Sequence, residues 1–417
     1  MMWRRLYGLL WYAVLPLAFA YLWRRGIKQP DYRLHWRERL GFYPQRPAGP
    51  LIWLHAVSVG ETRAALPIVR ALQERYPQHR ILLTQMTPTG RDTARSLYGD
   101  TVLLAYLPYD VPAAAARFLR HFQPEFGVLM EMEIWPNLLH AAKRRGLPVY
   151  LVNARLSARS ADGYRKVAAL VRPALASLAG VAAQGTADAA RLQSLGAAAP
   201  LICGNIKFDF AIDTELQALG RHWRKQIGDR PVWIAASTRE GEEVLLLDAL
   251  AGASLPENAL LILVPRHPQR FDEVARLLAM RDIPYLRRSH WSGETPVPAQ
   301  TAVLLGDSMG EMAAYLAAAD VAVMGGSLLD YGCQSPIEPC AQGLPVLVGP
   351  STFNFSDAVA DAVAGGAARQ SDDVQGVLAD LRHLLNDAAT RHSMGQAGMA
   401  FVQQHRGALA RVMALLP

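Results

Sequence analysis

The sequence predicts two consecutive α/β domains, each a doubly wound parallel sheet covered by helices on both faces. Three observations predict them. Continuous apolar runs of strand length alternate with segments of helical spacing, a polar interval without strands falls at residues 211–230, and the alternation then begins again. Strands that are apolar throughout are typical of sheets buried on both faces, so each half of the chain is expected to form such a sheet.

The first domain is predicted over residues 50–210 and holds seven candidate strands. Segments of helical spacing, such as Pro112–His121 and Asn137–Arg145, lie between them. The predicted strands are Leu51–Ala56, Arg80–Thr84, Val102–Ala105, Phe126–Met130, Val149–Val152, Val181–Ala183 and Leu201–Cys203.

The second domain is predicted over residues 231–400, after a linker helix at 211–230. Residues 401–417 are expected to form a C-terminal helix that could pack back on the first domain. Ligands of such sheets bind beyond the carboxyl ends of the strands, so a ligand between the domains would touch the strand-end loops of both. The predicted strands are Val232–Ala235, Leu260–Val264, Ala302–Leu305, Val321–Met324 and Pro345–Val348.

The net charge and the cysteines limit the partners and the kinds of site that can be expected. A formal net charge of +7 favours anionic surroundings, such as nucleic acid, an acidic membrane leaflet or a phosphorylated substrate. The three cysteines, Cys203, Cys333 and Cys340, are an odd number without a CxxC pair. Neither a disulfide framework nor a zinc site is therefore predicted, and a reducing compartment is expected.

The N-terminus is predicted to be a membrane anchor, residues 1–24, followed by a basic linker, residues 25–49. Leu6 to Trp23 carries no charge and would measure about 27 Å as a helix, close to the hydrocarbon thickness of about 30 Å. Basic residues, Arg46 among them, dominate the linker, which predicts a cytoplasmic body. A helix lying in the membrane interface, or a signal peptide cleaved after Ala20, are the alternatives.

Glu61 follows the first strand and has two interpretations. Ser58-x-x-Glu61 matches the capping box, in which the acid returns to the start of its own helix. A carboxylate in a strand-end loop can equally serve as a general base. The spacing alone leaves both open.

Two further strand ends of the first domain carry charged residues. Glu131 and Glu133 close the strand FGVLM and precede Pro136, a residue suited to the first turn of a helix. Lys207 follows the last strand and could neutralise developing negative charge, although a lone lysine is more often a solvated surface residue. A favourable interaction with the helix N-terminus is the alternative for the acids.

Successive strand ends of the second domain predict a site for a nucleotide phosphate. Arg266 and His267 follow one strand, and glycine turns that let amides approach an anion follow two others, at 306–311 and 325–327. Glu338 could accept both hydroxyls of a ribose. Neither GxxxxGK[ST] nor a GxGxxG after the first strand occurs, which argues against a P-loop or a dinucleotide fold.

Eight short motifs follow one another along the chain: SVGE, EMEIWPN, VNARLS, GNIKFD, VPRHPQRF, GDSMGEM, GGS and SPIEP. Taken together, these motifs resemble the Kdo (3-deoxy-D-manno-octulosonic acid) transferases of lipopolysaccharide synthesis over nearly the whole chain. The resemblance implies a GT-B fold and transfer of Kdo, with inversion, from CMP-Kdo to a tetra-acylated lipid A precursor at the cytoplasmic face of the inner membrane. It implies no metal, no cofactor and no nucleic-acid partner.

The resemblance also implies roles for individual residues. Glu61 would be the catalytic base, Glu131 and Lys207 would assist the transition state, and Ser58 and Gly60 would contact the acceptor. Gln334-Ser335 stands where the family commonly has His-Asn, so contacts that depend on that pair are in question. The expected donor-binding residues are Arg266, His267, Met309, Gly310, Glu311, Gly326, Ser327, Ser335, Pro336, Ile337 and Glu338.

Two other functions fit the same fold. Another GT-B protein, a nucleotide-sugar transferase or epimerase, would bind a uridine nucleotide and need no lipid. A membrane-tethered nucleotide or lipid sensor would need no acids at all. Replacing Glu61 with glutamine distinguishes them, because only the Kdo transferase is expected to lose its transfer activity while it keeps CMP binding.

Overall fold

The computed structural model describes residues 2–44, 48–210, 212–252 and 254–417. Arg46 of the predicted basic linker and Ala211, the first residue of the predicted linker helix, lie outside these ranges. The chain divides into two compact units. Unit 1 comprises Met1–Phe210 and Arg406–Pro417, and unit 2 comprises Ala211–His405.

Unit 1 is built on one sheet of seven parallel strands in the order β3-β2-β1-β4-β5-β6-β7. The strand order reverses between β1 and β4, so the chain winds outward from this point in both directions. All seven predicted strands are present. They are β1 (Leu51–His55), β2 (Arg80–Gln85), β3 (Val102–Tyr106), β4 (Phe126–Met130), β5 (Val149–Ala154), β6 (Gly180–Ala183) and β7 (Leu201–Ile202).

Helices cover both faces of this sheet because successive strand residues point to opposite sides. On β1, Leu51 and Trp53 belong to one apolar core and Ile52 and Leu54 to the other. The helices are α1 (Met2–Lys28), α2 (Trp36–Arg39), α3 (Val59–Ala64), α4 (Leu66–Arg75), α5 (Pro88–Tyr98), α6 (Pro112–Phe122), α7 (Pro136–Arg144), α8 (Ala158–Lys166), α9 (Ala168–Leu175) and α10 (Thr186–Ser194).

Unit 2 holds a second sheet of seven parallel strands, in the order β10-β11-β9-β8-β12-β13-β14, and its order reverses between β8 and β12. Two strands of three residues each, β10 and β14, form its edges and were not predicted. The strands are β8 (Val232–Thr238), β9 (Leu260–Pro265), β10 (Tyr285–Arg287), β11 (Val303–Leu305), β12 (Val321–Met324), β13 (Val346–Val348) and β14 (Ala368–Gln370).

The helices of unit 2 include the segment predicted as a linker. Helix α11 buries Trp223 completely, with its ring 5.3 Å from that of Tyr315, so this helix is part of the unit 2 core region. The helices are α11 (Thr214–Ile227), α12 (Glu242–Leu250), α13 (Phe271–Met280), α14 (Met312–Ala318), α15 (Ile337–Ala341), α16 (Ser356–Ala364), α17 (Val374–Asn386) and α18 (Ala388–His405).

The end of the chain returns to unit 1. Helix α18 ends at His405, and Gly407, with φ +90°, precedes the last helix, α19 (Ala408–Leu415). Ala408 and Val412 are buried in the unit 1 core, and Arg411 Nε donates to the carbonyl oxygen of Cys203 at 2.8 Å. The predicted C-terminal helix at 401–417 is therefore two helices, of which the second packs on unit 1.

Candidate functional site

The candidate site of unit 1 lies at the reversal of its strand order, where doubly wound sheets bind ligands. Strand β1 ends at His55 and leads through Val57 into α3, which carries Glu61. Its neighbour β4 ends at Met130 and is followed directly by Glu131. Since parallel neighbours end at the same edge, the two loops that the sequence singled out are brought together.

Glu61 is 8% exposed and is held by its own loop. The Val57 amide donates to Oε2 at 2.8 Å, and the Ser58 hydroxyl donates to Oε1 at 2.9 Å. Ser58 Oγ in turn accepts from the Glu61 amide at 3.2 Å, which makes Ser58 the N-cap of α3. These contacts are those of a capping box with one difference. The Glu61 carboxylate accepts from the amide of Val57, the residue before the N-cap, and not from the amide of the N-cap itself.

The capping contacts leave Glu61 able to accept a proton. A carboxylate oxygen offers two lone-pair positions, and each oxygen of Glu61 receives one hydrogen bond among those described. Burial raises the pKa of Glu61, and the charges of Glu131 and Glu133 act in the same direction, against the opposing hydrogen bonds from its loop. A raised pKa makes this carboxylate a stronger base than one in water.

Glu131 and Lys207 form a partly exposed ion pair at the same edge. Lys207 Nζ lies 4.0 Å from Glu131 Oε1, and each side chain keeps about a third of its surface exposed. Glu131 adopts φ +56°, a left-handed conformation that costs about 1 kcal/mol or more for a residue other than glycine. The turn directs the chain from β4 across the sheet edge.

Two residues of this cluster, Asn153 and His55, were not singled out by sequence reasoning. Asn153, buried at the end of β5, accepts from the Ile206 amide at 3.1 Å and so holds the loop that carries Lys207. His55 is fully buried, and its Nε2 lies 3.8 Å from Glu133 Oε2. Both residues lie at the carboxyl end of a strand, so this position was the available signal.

At the strand-order reversal of unit 2, a protein carboxylate occupies the glycine turn. Glu242 is fully buried and accepts from the amides of Arg239 at 2.8 Å, Gly326 at 2.6 Å and Leu328 at 2.9 Å. Burial raises the pKa of Glu242, while these amide donors oppose that shift. The amide of Gly326, predicted to approach an anionic ligand, is already donating to the protein's own anion.

The predicted contacts of Gly326 and Ser327 with the donor stay predictions, and the structure shows how the turn that carries these residues is held. The Ser327 hydroxyl is completely buried, donates to the Met324 carbonyl at 2.5 Å and accepts from the Gly349 amide at 2.9 Å. Together with the Glu242 carboxylate, these hydrogen bonds fix the backbone of the turn.

A cationic patch lies at the ends of the neighbouring strands β8 and β9. It contains Arg266 and His267, both predicted, and Arg239, which was not. Burial lowers the pKa of His267, and the neighbouring arginine charges lower it further, so the neutral ring is favoured near neutral pH. The Arg239 guanidinium lies 4.7 Å from the ring centre of Tyr331. The patch can offer guanidinium and imidazole donors to a phosphate.

In the loop after β11, two predicted donor-binding residues are exposed to solvent and a third is held in an ion pair. Met309 is 61% exposed and Gly310 has φ +84°, while the Glu311 carboxylate pairs with Arg288 Nη2 at 2.8 Å and with the Ser308 hydroxyl. Met309 and Gly310 therefore present surface to solvent, whereas Glu311 stabilises the loop.

The Ser335–Glu338 loop opens the short helix α15. Ser335 Oγ accepts from the Ile337 amide at 3.4 Å, and Pro336 is the N-cap residue. The Ile337 side chain is 1% exposed and lies in the core, so the predicted donor contact of this residue would be made by its backbone. Glu338 lies exposed in the first turn.

Across the described ranges, no group of three or more His, Cys, Asp or Glu residues could hold a metal ion. The cysteines Cys203, Cys333 and Cys340 are all free and buried, and burial raises the pKa of each thiol. Such thiols are poor nucleophiles, so the described chemistry is that of carboxylates, arginines and hydrogen-bond donors.

Comparison with known proteins gives consistent matches to sugar transferases. Residues 34–210 match the family described as 3-deoxy-D-manno-octulosonic-acid transferase (kdotransferase), and residues 286–401 match glycosyl transferases group 1. The chain is 44% identical to the 3-deoxy-D-manno-octulosonic acid transferase of Bordetella pertussis, covering 98% of each chain. It is 40% identical to the Haemophilus influenzae protein of the same description, covering 100% of this chain and 98% of that one.

Solved structures match the fold at low identity. MurG from Acinetobacter baumannii aligns with a TM-score of 0.55 at 14% identity, covering 89% of this chain and 99% of that one. The UDP-GlcNAc 2-epimerase of Neisseria meningitidis aligns with a TM-score of 0.58 at 14% identity, covering 88% and 99%. Together with the two parallel sheets, these likenesses confirm the predicted GT-B class of fold.

Proposed function

The chain belongs to the 3-deoxy-D-manno-octulosonic acid (Kdo) transferase family and is a glycosyltransferase, and from this premise we propose that it transfers Kdo from CMP-Kdo to a tetra-acylated lipid A precursor. Transfer proceeds with inversion in a single displacement, and Glu61 is the general base. The observation that carries the proposal is the buried carboxylate of Glu61 at the strand-order reversal of unit 1, with its raised pKa.

In the reaction step, Glu61 takes the proton of the acceptor hydroxyl. The hydroxyl oxygen forms a bond to the anomeric carbon of Kdo, and the bond from that carbon to the phosphate oxygen breaks. CMP leaves with the electron pair. The Val57 and Ser58 hydrogen bonds hold the carboxylate of Glu61 in one orientation, which favours a proton transfer that depends on geometry.

Departure of CMP leaves negative charge on the phosphate, and unit 2 supplies the positive charge for it. Arg266 and Arg239 offer guanidinium groups, and neutral His267 offers an N–H donor. Met309 and Gly310 contribute accessible backbone to the nucleotide, and Glu338 accepts hydroxyls of the ribose. In unit 1, Lys207 stabilises negative charge that develops beside Glu131.

We place the enzyme at the cytoplasmic face of the inner membrane, with α1 as its anchor. Among the described residues, α1 is the one helix long and apolar enough to cross a membrane, by length and composition, criteria that a signal sequence near an N-terminus also meets. The basic residues in its last two turns, Arg24, Arg25 and Lys28, favour the anionic cytoplasmic leaflet. The acceptor is itself a phosphorylated lipid of that membrane.

The test is a transfer assay with purified full-length protein, CMP-Kdo and the lipid A precursor, read by product mass. The wild type is expected to add the mass of Kdo. Glu61→Gln is expected to abolish transfer while calorimetric CMP binding stays unchanged. Glu125→Gln is the matched control, because Glu125 immediately precedes β4, at the opposite edge of the same sheet, and is exposed. A product without added Kdo, or full activity of Glu61→Gln, would refute the proposal.

A further inference from the structure

Helix α1 is attached to unit 1 along its entire length. Every third or fourth residue of the helix is partly or wholly shielded, and no shielded residue falls on the opposite face. That spacing is the 3.6-residue period of a single helical stripe. The stripe consists of Arg4, Tyr7, Gly8, Trp11, Val14, Leu15, Ala18, Phe19, Leu22 and Gly26.

Specific contacts fix this stripe near both ends and in the middle. Near the start, Arg4 Nη1 donates to Asn137 Oδ1 at 3.1 Å. In the middle, the Trp11 ring stacks on Tyr109, with 5.6 Å between ring centres. Farther along, the Phe19 ring lies 5.1 Å from that of Trp36.

Gly8 shows how close the contact is. A Cβ at this position would lie 2.8 Å from Cγ of Pro112, the first residue of α6. Only a residue without a side chain allows the helix to approach α6 to this distance, so the contact depends on the glycine.

The opposite face of α1 is apolar and uncovered. It exposes Leu6 (56%), Leu9 (66%), Leu17 (69%) and Ile27 (69%) among others. A contiguous apolar face of this kind on a protein surface marks a site of interaction. Exposed basic residues, the basic flanks, lie near both ends of the helix. Arg5 is near its start, and Arg24, Arg25 and Lys28 are in its last two turns. An apolar face between basic flanks complements a leaflet of anionic lipids.

The attachment is incompatible with a helix that crosses the bilayer. From Arg4 to Gly26 the helix extends about 33 Å, the thickness of the hydrocarbon core or slightly more. A crossing would carry Asn137 and Trp36, with the polar loops around them, through the hydrocarbon. Exposed irregular backbone is not tolerated there, because its amides and carbonyls would lose their hydrogen bonds to water.

We propose that α1 lies in the plane of an anionic leaflet, with both of its ends on the same side of the membrane. Its exposed face enters the leaflet, its shielded stripe carries unit 1, and its basic flanks contact lipid phosphates. The protein is then seated on one leaflet without crossing to the other.

The test compares the depths of two spin labels. Leu6 and Leu17 are separated by 11 residues, about 16 Å along the helix and about 20° around it, so they lie on one face. Two variants of the full chain, each with one added cysteine, Leu6→Cys or Leu17→Cys, carry a nitroxide at that cysteine in phosphatidylethanolamine–phosphatidylglycerol vesicles. Wild-type protein treated with the same label measures the background. This background should be low, because Cys203, Cys333 and Cys340 are buried.

The two labels are expected at the same depth. A crossing helix would instead place the label at Leu17 near the bilayer centre and that at Leu6 near a headgroup region, a difference on the order of 10 Å. That difference, or failure of the wild type to bind the vesicles, would overturn the proposal. Both positions are exposed, so folding is expected to survive, and CMP binding by each variant checks it.

A charge test is independent of the labels. The double variant Arg24→Glu with Lys28→Glu is expected to bind anionic vesicles at least about tenfold more weakly, with little change on pure phosphatidylcholine. Arg276→Glu with Arg382→Glu, at exposed sites on α13 and α17 of unit 2, is the control, because it makes the same change in net charge away from α1. Unchanged binding of the double variant to anionic vesicles would contradict the proposed orientation of the basic flanks.

Discussion

Lys207 Nζ lies 4.0 Å from Oε1 of Glu131, although the two residues follow strands that are three positions apart in the sheet. Asn153, near the end of β5, makes this possible, because its side chain accepts from the Ile206 amide at 3.1 Å. The pair is about one-third exposed, and an ion pair of this kind contributes at most about 1 kcal/mol to stability. Its value is therefore expected to lie in catalysis.

We predict that Lys207→Met lowers kcat by about 10²-fold, in the range found when one group that stabilises transition-state charge is removed. The free energy of unfolding should change by less than about 1 kcal/mol, since the pair is solvent-accessible. Steady-state kinetics and urea unfolding of the same preparations measure both. If Glu131→Gln and the double variant show fully additive losses, the two side chains do not act as a pair.

The pH dependence of transfer should report the pKa of Glu61. Because that pKa is raised in the folded protein, activity is present above it and falls as the pH drops through it, at a higher pH than for an exposed carboxyl. The Ser58 hydroxyl stabilises the charged form, so Ser58→Ala should raise the pKa and move the acidic limb to higher pH. The repulsion from Glu131 destabilises that form, so Glu131→Gln should move the limb to lower pH.

The measurement is a pH profile of kcat/KM for the wild type and both variants. Opposite displacements are the distinctive result, since a variant that is merely damaged would lower the whole profile without moving its limb. Equal displacements in one direction would show that a group other than Glu61 sets the limb.

Most strands could be predicted from the sequence, whereas part of the candidate site could not. Runs such as Leu51–Leu54 are buried on both faces, so hydrophobicity alone marks them. The edge strands β10 and β14 are only partly buried and contain polar residues, so they give no apolar run, whereas the equally short β11 and β13 are fully buried and apolar. Glu131 stood out because it directly follows β4, and Glu61 because it lies in the first turn of the helix after β1.

The carboxylate bound in the glycine turn after β12 was not predictable, because it is distant in sequence. A turn of small residues predicts free amides, and local pattern cannot show that Glu242, 84 positions before Gly326, fills the turn. The capping motif at Ser58 is local and was therefore recognisable. Contacts between residues on different loops are fixed by the fold, which a single sequence does not display.

Glu242 is expected to be a structural residue of unit 2. Glu242→Ala leaves the amides of Gly326 and Leu328 buried without acceptors, and each such loss costs about 1–3 kcal/mol. We predict that the unit 2 transition in a denaturant titration of the full chain shifts to lower denaturant. Glu240→Ala, an exposed neighbour, is the matched control and should leave the transition in place. An unshifted transition in Glu242→Ala would mean that water replaces the carboxylate.

We expect Arg239 to bind the phosphate of CMP, and a single substitution tests this role. Arg239 follows β8, beside the Arg266-His267 end of β9, and its guanidinium lies over the Tyr331 ring. We predict that Arg239→Ala weakens CMP binding by about 10- to 100-fold, the value of one or two charge-assisted hydrogen bonds. Arg239→Lys should recover only part of this, because an ammonium cannot make the bidentate contact. Arg276→Ala, an exposed site on α13, is the calorimetric control, and equal CMP affinity in wild type and Arg239→Ala would remove Arg239 from the donor site.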